Sequence, residues 1–437
     1  MDQNPFRLPL FLPAQGAAES EATIIEWCVS EGDCFQKGQV LGQIDSAKSV
    51  FDFEAPCDGR LIRLLHLDGE TVAYDEPVME IETADPRMRD WIPPATAVEA
   101  RVRPKPVPTA DSPLDDPRGA VILGLGGYLP RQVVTNPELI EAFPEISADY
   151  IYQVTGIQER RWAAENEKPS DMAYAAALEA IRKAGIATKE IDAIILATTT
   201  PDVAMPSTAC ILQDRLNLTT IPAFDLNAAC SGWLYAVAMA RMMTLSGMAR
   251  NVLAVGVDVQ SHLLDRADES TCFLFGDGAG AAIVAAGTEG HRIREVILGA
   301  DTRGLHMARR QHPGYLLPNG ELVDSHIRLD GHALFRFATE SFATLIQDSI
   351  AKSGWTPEET RWIVPHQANA RILKAAARRS RVPFDRFYLN IERVGNTSSA
   401  SIPLALLEVE DRLQAGDKLV LCAVGAGITT AAISVEW

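Results

Sequence analysis

The chain offers no paired-cysteine spacing, no long apolar run and no surplus of basic charge, and each absence removes a class of function. Its seven cysteines, at 28, 34, 57, 210, 230, 272 and 422, are odd in number and never two residues apart, which excludes a disulfide framework and argues against a zinc cluster. Free thiols and no structural metal are expected. No apolar stretch approaches the roughly 20 residues that cross a bilayer, and the opening MDQNPFRLPLFLP lacks the basic start and apolar core of a signal peptide. A cytoplasmic protein without membrane contact is therefore expected. Lys and Arg number 40 against 58 Asp and Glu, a net charge of −18, which repels nucleic acid and anionic lipid alike. A local basic patch on such a chain needs a specific partner to explain it.

What is present divides the 437 residues into three stretches. Residues 1–84 carry short β-prone runs (ATIIEWCV, QVLGQID, SVFDFEA, RLIRLLHL, PVMEIE) separated by turn residues such as Asp58-Gly59 and Asp68-Gly69, the pattern of a small all-β domain. Residues 85–118 repeat proline with few large apolar side chains, so they cannot bury enough surface to fold alone and read as a linker. Residues 119–437 alternate apolar strands (AVILGLGGYL, AIILATTT, NVLAVGVDV, KLVLCAVGAG) with helical patterns such as DMAYAAALEAIRKAGI, which is α/β architecture.

Three loops of the large domain carry chemistry. In IPAFDLNAACSGWLYAVAMARMM, Cys230 stands between a strand and an amphipathic helix, where unpaired N–H groups and the helix dipole are expected to favour thiolate. A buried structural thiol is the competing reading of this segment alone. In RWIVPHQANARILKAAARRS, His366 and Asn369 follow a strand, and the helix beyond presents Arg371, Lys374, Arg378, Arg379 and Arg381. In FYLNIERVGNTSSASIP, Asn396 occupies the same strand-to-helix setting. The glycines of FGDGAGAA suit turns and close packing better than phosphate binding.

Together, DLNAACSG, FGDGAGAA, PHQAN and GNTSSAS resemble β-ketoacyl-acyl-carrier-protein synthase III over 119–437. The resemblance implies a thiolase-like fold of two βαβ-rich halves, about 119–290 and 291–437, and a homodimer. It implies that Cys230 carries the acyl primer as a thioester, while His366 and Asn396 hold the carbonyl of a malonyl unit as it loses carbon dioxide. The oxyanion of the acyl-cysteine falls to backbone N–H groups of Cys230 and of the VGAG turn at Ala426, where Val424 and Ala426 depart from the family's glycine-rich run. An acyl carrier protein bearing 4′-phosphopantetheine is the implied partner, and Arg371, Lys374, Arg378 and Arg379 are candidates for docking it. Met205 matches a residue that reaches across the dimer to bound the acyl pocket, with core packing as its plainer alternative.

The family's CoA-facing positions have changed: Tyr150 stands for a tryptophan, Val154 for an arginine and Glu269 for a second arginine. Weak CoA binding is expected, since carboxylate now meets a polyanion. The N-terminal stretch supplies another donor. GQIDSAKSVFDFEAPCDGRL resembles the lipoyl-domain hairpin, with Lys48 at the modified lysine, and the lack of flanking methionines favours lipoate over biotin. Delivery of the primer on a dihydrolipoyl arm, loaded by a 2-oxoacid dehydrogenase or decarboxylase, is then expected. The alternatives are a conventional acyl-CoA-primed synthase with a regulatory front domain, an acyltransferase to an alcohol or amine with His366 as base, and a non-catalytic docking scaffold.

Overall fold

The computed structural model describes residues 5–13, 21–45, 50–73, 76–88, 119–311, 316–317 and 321–437, and the chain divides into two units, Met1–Ser112 and Pro113–Trp437. In the first, two four-stranded antiparallel sheets enclose one core. One sheet is ordered Phe6–Phe11, Pro77–Thr83, Gly59–Leu64, Cys34–Phe35; the other Val50–Glu54, Val40–Asp45, Glu21–Trp27, Thr71–Ala73. Alternation in the sequence sets their inner faces: Ile24, Leu41, Ile44 and Phe53 from one sheet meet Leu10, Leu61, Met79 and Ile81 from the other. Ordered structure runs past residue 84, because Pro86–Met88 makes a 3₁₀ turn that buries Met88 in this core. The rest of the expected linker, 89–118, lies outside the described residues.

The second unit is built on a nine-stranded mixed sheet. Its strands are β1 (Ala120–Tyr128), β2 (Ala193–Ala197), β3 (Ala223–Leu226), β4 (Asn251–Asp258), β5 (Gly278–Ala286), β6 (His291–Ala300), β7 (Thr360–Pro365), β8 (Lys418–Gly425) and β9 (Thr429–Glu436), in the order β3-β2-β4-β5-β1-β6-β9-β8-β7. From the β1–β6 junction outward the two arms repeat one plan. β5 answers to β9, β4 to β8 and β2 to β7, with β2 parallel to β4 as β7 is to β8. The place of β3 in the second arm is taken by a parallel bridge between Ile363 and Phe387.

Because side chains alternate across a strand, each arm has two apolar faces, and the helices cover both. Helix α1 (Pro169–Ala184) lies on Ile194, Leu196, Leu253, Val255 and Ile283; α2 (Gly232–Leu245) lies on the opposite face, on Ile195, Ala254 and Val284. Helices α3 (Gly331–Lys352) and α4 (Ala370–Ser380) cover Ile363, Val420 and Cys422 of the second arm. The same core that holds α2 also contains Leu406 of α5 (Ser401–Val409) and Leu421 and Ile433 of the second arm, so α2 and α5 are enclosed between the arms. Trp233, 1% exposed, anchors that layer, with burial worth roughly 2–3 kcal/mol.

In FGDGAGAA the close-packing reading holds for Gly280. It has an ordinary extended backbone within β5, and an added Cβ would meet Pro403 Cγ of α5 at 2.4 Å. Among the described residues no helix is long and apolar enough to cross a membrane.

Candidate active site

Cys230 sits in a 3₁₀ turn, Ala229–Ser231, between the end of β3 and the first residue of α2. The turn is sharp: Ala229 has φ +47°. It is clamped to the β8–β9 hairpin, since Thr429 Oγ1 donates to Ala228 O at 2.7 Å and Ser231 Oγ donates to Thr429 O at 3.1 Å. Gly425, the last residue of β8, has no room for a side chain. A Cβ there would stand 2.8 Å from Cys230 N and 2.6 Å from Thr429 Oγ1.

The helix start does not leave a resting thiolate. Burial pushes the Cys230 thiol up to about 12, with Asp258 acting in the same direction and a hydrogen bond from Ser398 Oγ, 3.6 Å from Sγ, opposing it. A helix terminus is worth at most about 2 kcal/mol, whereas desolvation of a buried charge can shift a pKa by 3 units or more. Desolvation wins, and the sulfur rests protonated.

His366 follows β7 directly and is 1% exposed. Its backbone N–H donates to Cys422 O of the parallel neighbour β8 at 2.7 Å, which fixes the loop to the sheet. Nδ1 lies 2.8 Å from Ser401 Oγ at the start of α5. That oxygen already accepts the Gln367 N–H at 3.0 Å, so the hydroxyl proton is free to point at Nδ1, leaving the other nitrogen, Nε2, protonated. Burial pushes the imidazole down to about 3. It is neutral at physiological pH and serves as a hydrogen-bond donor.

Asn396 bridges in parallel to Phe275, with its N–H donating to Leu274 O at 2.8 Å and its carbonyl accepting from Gly276 N at 3.0 Å. Its Oδ1 accepts the Ser398 N–H at 2.9 Å. Only an oxygen can accept from a backbone N–H, so the side-chain assignment is fixed and the NH₂ remains as a donor.

These groups converge. A cavity of about 480 Å³ is lined by Cys230, His366, Asn396, Ser398 and Ala426, with Leu305, Ile327, Leu334 and Phe342 forming an apolar wall. A thiol and two neutral donors on one desolvated cavity suit acyl transfer followed by stabilisation of an enolate oxygen. Asn369 also lines the cavity, but its Oδ1 caps α4 by accepting from Arg371 N at 2.8 Å and its Nδ2 donates to Val154 O at 3.0 Å.

Other expected residues lie elsewhere. Arg371, Lys374, Arg378 and Arg379 are exposed on α4, opposite the buried Ile372, Leu373 and Ala376, and Arg379 pairs with Glu340 at 2.8 Å. Met205 is 86% exposed and does not line the cavity of its own chain, so the core-packing alternative fails. Tyr150 is 50% exposed, and Glu269 is exposed beside Asp268, on a rim where Arg328 is already paired with Asp265, Asp268 and Asp324. Lys48 lies outside the described residues. Its flanking strands are described: Asp45 pairs with Val50, so residues 46–49 connect this hairpin.

Sequence reasoning missed Ser398 and Ser401, although both stand inside GNTSSAS and a hydroxyl three residues from another could have drawn attention. It also missed Thr199, Gln260 and Arg310 on the cavity wall. Nothing periodic marks the ARRQH segment that carries Arg310.

Comparison with known proteins agrees with this layout. Residues 224–302 match the profile of 3-oxoacyl-acyl-carrier-protein synthase III, residues 350–437 match that of its C-terminal part, and residues 9–81 match the profile described as biotin-requiring enzyme, of biotin/lipoyl type. The β-ketoacyl-acyl-carrier-protein synthase III of Rhodospirillum centenum is 41% identical over 327 residues, 74% of this chain and 100% of that protein; that of Staphylococcus saprophyticus is 42% identical over 320 residues, 72% and 98%. Among solved structures, the Thermus thermophilus synthase III is 43% identical, with a TM-score of 0.68 over 72% of this chain and 99% of that one. A priming β-ketosynthase of the R1128 polyketide pathway is 32% identical, with a TM-score of 0.67 over 73% and 96%.

Proposed function

Since the chain belongs to the β-ketoacyl-acyl-carrier-protein synthase III family and carries a biotin/lipoyl-type domain in front, we propose that it condenses a Cys230-bound acyl primer with a malonyl-carrier-protein thioester, and that the primer arrives on Lys48. The observation that carries the reading is the convergence of the Cys230 sulfur, the His366 imidazole and the Asn396 amide on one cavity.

Cys230 Sγ attacks the carbonyl of the incoming thioester. A new C–S bond forms, the donor's C–S bond breaks, and the thiol proton passes to the departing sulfur. Backbone N–H groups of Cys230 and Ala426 hold the oxyanion of this step, and Gly425, pressed against Cys230 N, keeps the two close. In the second step the malonyl carboxylate leaves as carbon dioxide and its electron pair becomes an enolate. The enolate oxygen accepts from His366 Nε2–H and Asn396 Nδ2–H, and the carbon attacks the acyl-cysteine, forming the C–C bond and releasing the sulfur, which regains a proton. Neutral His366 serves this step well, because it donates without adding a charge that would hold the departing carboxylate.

Two features support this donor. Exposed Glu269 puts a negative charge where the family has an arginine for CoA, while its neighbours Asp265 and Asp268 are paired with Arg328. On the front domain, Lys48 stands in the sequence between two paired strands, Val40–Asp45 and Val50–Glu54, as the lysine of a lipoyl-type hairpin would. Lipoate on that lysine, favoured over biotin, would supply a thiol that carries the acyl group as a thioester. A 2-oxoacid dehydrogenase or decarboxylase is the class of enzyme that would load it. The carrier protein docks on Arg371, Lys374, Arg378 and Arg379, a basic face on an acidic chain. The working form is a cytoplasmic homodimer in which exposed Met205 closes the partner's acyl pocket.

Intact-protein mass spectrometry of the lipoylated chain, incubated with a 2-oxoacid dehydrogenase system, tests the whole sequence. Acyl mass should appear on Lys48 and then on Cys230, and Lys48→Arg should abolish both. Full loading of Cys230 in Lys48→Arg would refute the arm as donor.

A further inference from the structure

One wall of the cavity is built for charge. Arg310 Nη2 donates to Thr199 O at 2.8 Å, and Gln260 Nε2 donates to Thr199 Oγ1 at 2.9 Å. Thr199 follows β2 and Gln260 follows β4, the two parallel strands whose ends stand beside that of β3, the strand leading to Cys230. All four residues line the same cavity. An acyl group on Cys230 therefore shares its cavity with a guanidinium and a primary amide as well as the apolar wall.

Among the described residues Arg310 makes no ion pair. Asp258 acts electrostatically on both Cys230 and Arg310, but its oxygens are already taken. Oδ1 accepts from Thr199 N at 2.7 Å and Thr199 Oγ1 at 2.8 Å, and Oδ2 accepts from Ser399 N at 3.1 Å and Ser399 Oγ at 2.7 Å. Among the described residues the bond to Thr199 O is the one hydrogen bond Arg310 makes. A guanidinium has five N–H donors, so among the described residues most of those on Arg310 are left to bind an acceptor in the cavity it lines. A cation with available donors on that wall suits an anionic acceptor inside the cavity.

We propose that Arg310, with Gln260 beside it, selects acyl primers bearing a distal carboxylate, so that the enzyme is primed by a dicarboxylic half-thioester instead of a simple alkanoyl group. This rests on Cys230 as the acyl-carrying residue. The malonyl carboxylate is the weaker candidate on chemical grounds. Its charge must vanish as carbon dioxide, and a guanidinium bound to it would stabilise the ground state over the transition state. A carboxylate on the primer keeps its charge through both steps.

The test uses the full chain and four N-acetylcysteamine thioesters matched in length: succinyl against butyryl, and glutaryl against valeryl. Acylation is followed by intact mass, with the adduct mapped to Cys230. One of the two dicarboxylic thioesters should load at least about tenfold faster than its alkanoyl match, the worth of one charge-assisted contact. Arg310→Leu should reverse that ratio, and Arg310→Gln should reduce it. Because each ratio is taken within one variant, loss of folded protein cancels. Equal or faster loading of both alkanoyl thioesters in the unaltered protein, or an unchanged ratio in Arg310→Leu, would overturn the inference. So would an Arg310→Leu effect confined to the KM for malonyl-carrier protein. Adducts that favour the alkanoyl group leave Cys230 as nucleophile and sink the inference alone; no Cys230 adduct with any thioester sinks both.

Discussion

The small domain and the large one solve opposite problems. The front domain is two small antiparallel sheets sealed by a core of Ile24, Leu41, Leu61 and Ile81, and its proposed functional group is a single lysine. The large domain brings a sulfur, an imidazole and an amide to the wall of one cavity. It takes them from three strand ends, with Ser398 meeting Cys230 across 168 residues of chain. Burial gives the second set its chemistry, at the cost of a thiol that resists ionising and an imidazole that resists protonation.

The contrast can be broken most severely at the sulfur. Cys230→Ala should abolish condensation while leaving any lipoylation of Lys48 intact; product formation above background, read by mass, would remove the nucleophile assignment. His366→Ala and Asn396→Ala should each cost about 10²- to 10³-fold in condensation, the usual loss for an oxyanion donor, while Cys230 still takes up acyl from a thioester. Equal losses in acylation and condensation would mean that these residues act in the first step as well.

Next in size is the tether. Supplying the front domain in trans to residues 119–437 should lower condensation about 10²-fold at micromolar concentration, because the linked arm works at an effective concentration on the order of millimolar. Unchanged turnover would show that the two domains do not exchange acyl groups.

Smaller effects follow from pH. His366 titrates near 3 when folded and near 6.5 when unfolded, so between these values the unfolded chain binds more protons and stability falls as pH drops. Denaturant midpoints should decline from pH 6.5 toward 4, and less so in His366→Gln. For Cys230 the sign is reversed on the alkaline side: the thiol keeps its proton up to about 12, so iodoacetamide labelling should still be accelerating above pH 9. A labelling plateau below pH 8 would mean that the helix terminus outweighs burial.

Much of the site was legible in sequence, for different reasons in each domain. GQIDSAKSVFDFEAP carries its hairpin in local alternation and turn residues, so Lys48 can be singled out without knowing what its strands touch. Cys230, His366 and Asn396 were legible because strand-to-helix loops have local signatures and because three of them occurred together. The thiol's ionisation was not legible. The sequence shows a helix start, which favours charge, but cannot show that the surrounding chain desolvates the sulfur enough to outweigh it. Met205 was ambiguous for a related reason, since an apolar side chain reads the same in a core as at a surface, and only its 86% exposure decides.

By itself, then, the sequence determined which elements form, which residues carry reactive groups, and that the two domains are separate, because periodicity, turn chemistry and proline content act over a few residues. Only the tertiary structure decided what those groups are able to do. The orientation of the His366 ring by Ser401, the freeing of the Asn396 amide by Ser398 and the placing of Arg310 beside the cavity all depend on contacts between distant segments. Desolvation and hydrogen-bond geometry arise where chains meet, and no local pattern encodes them.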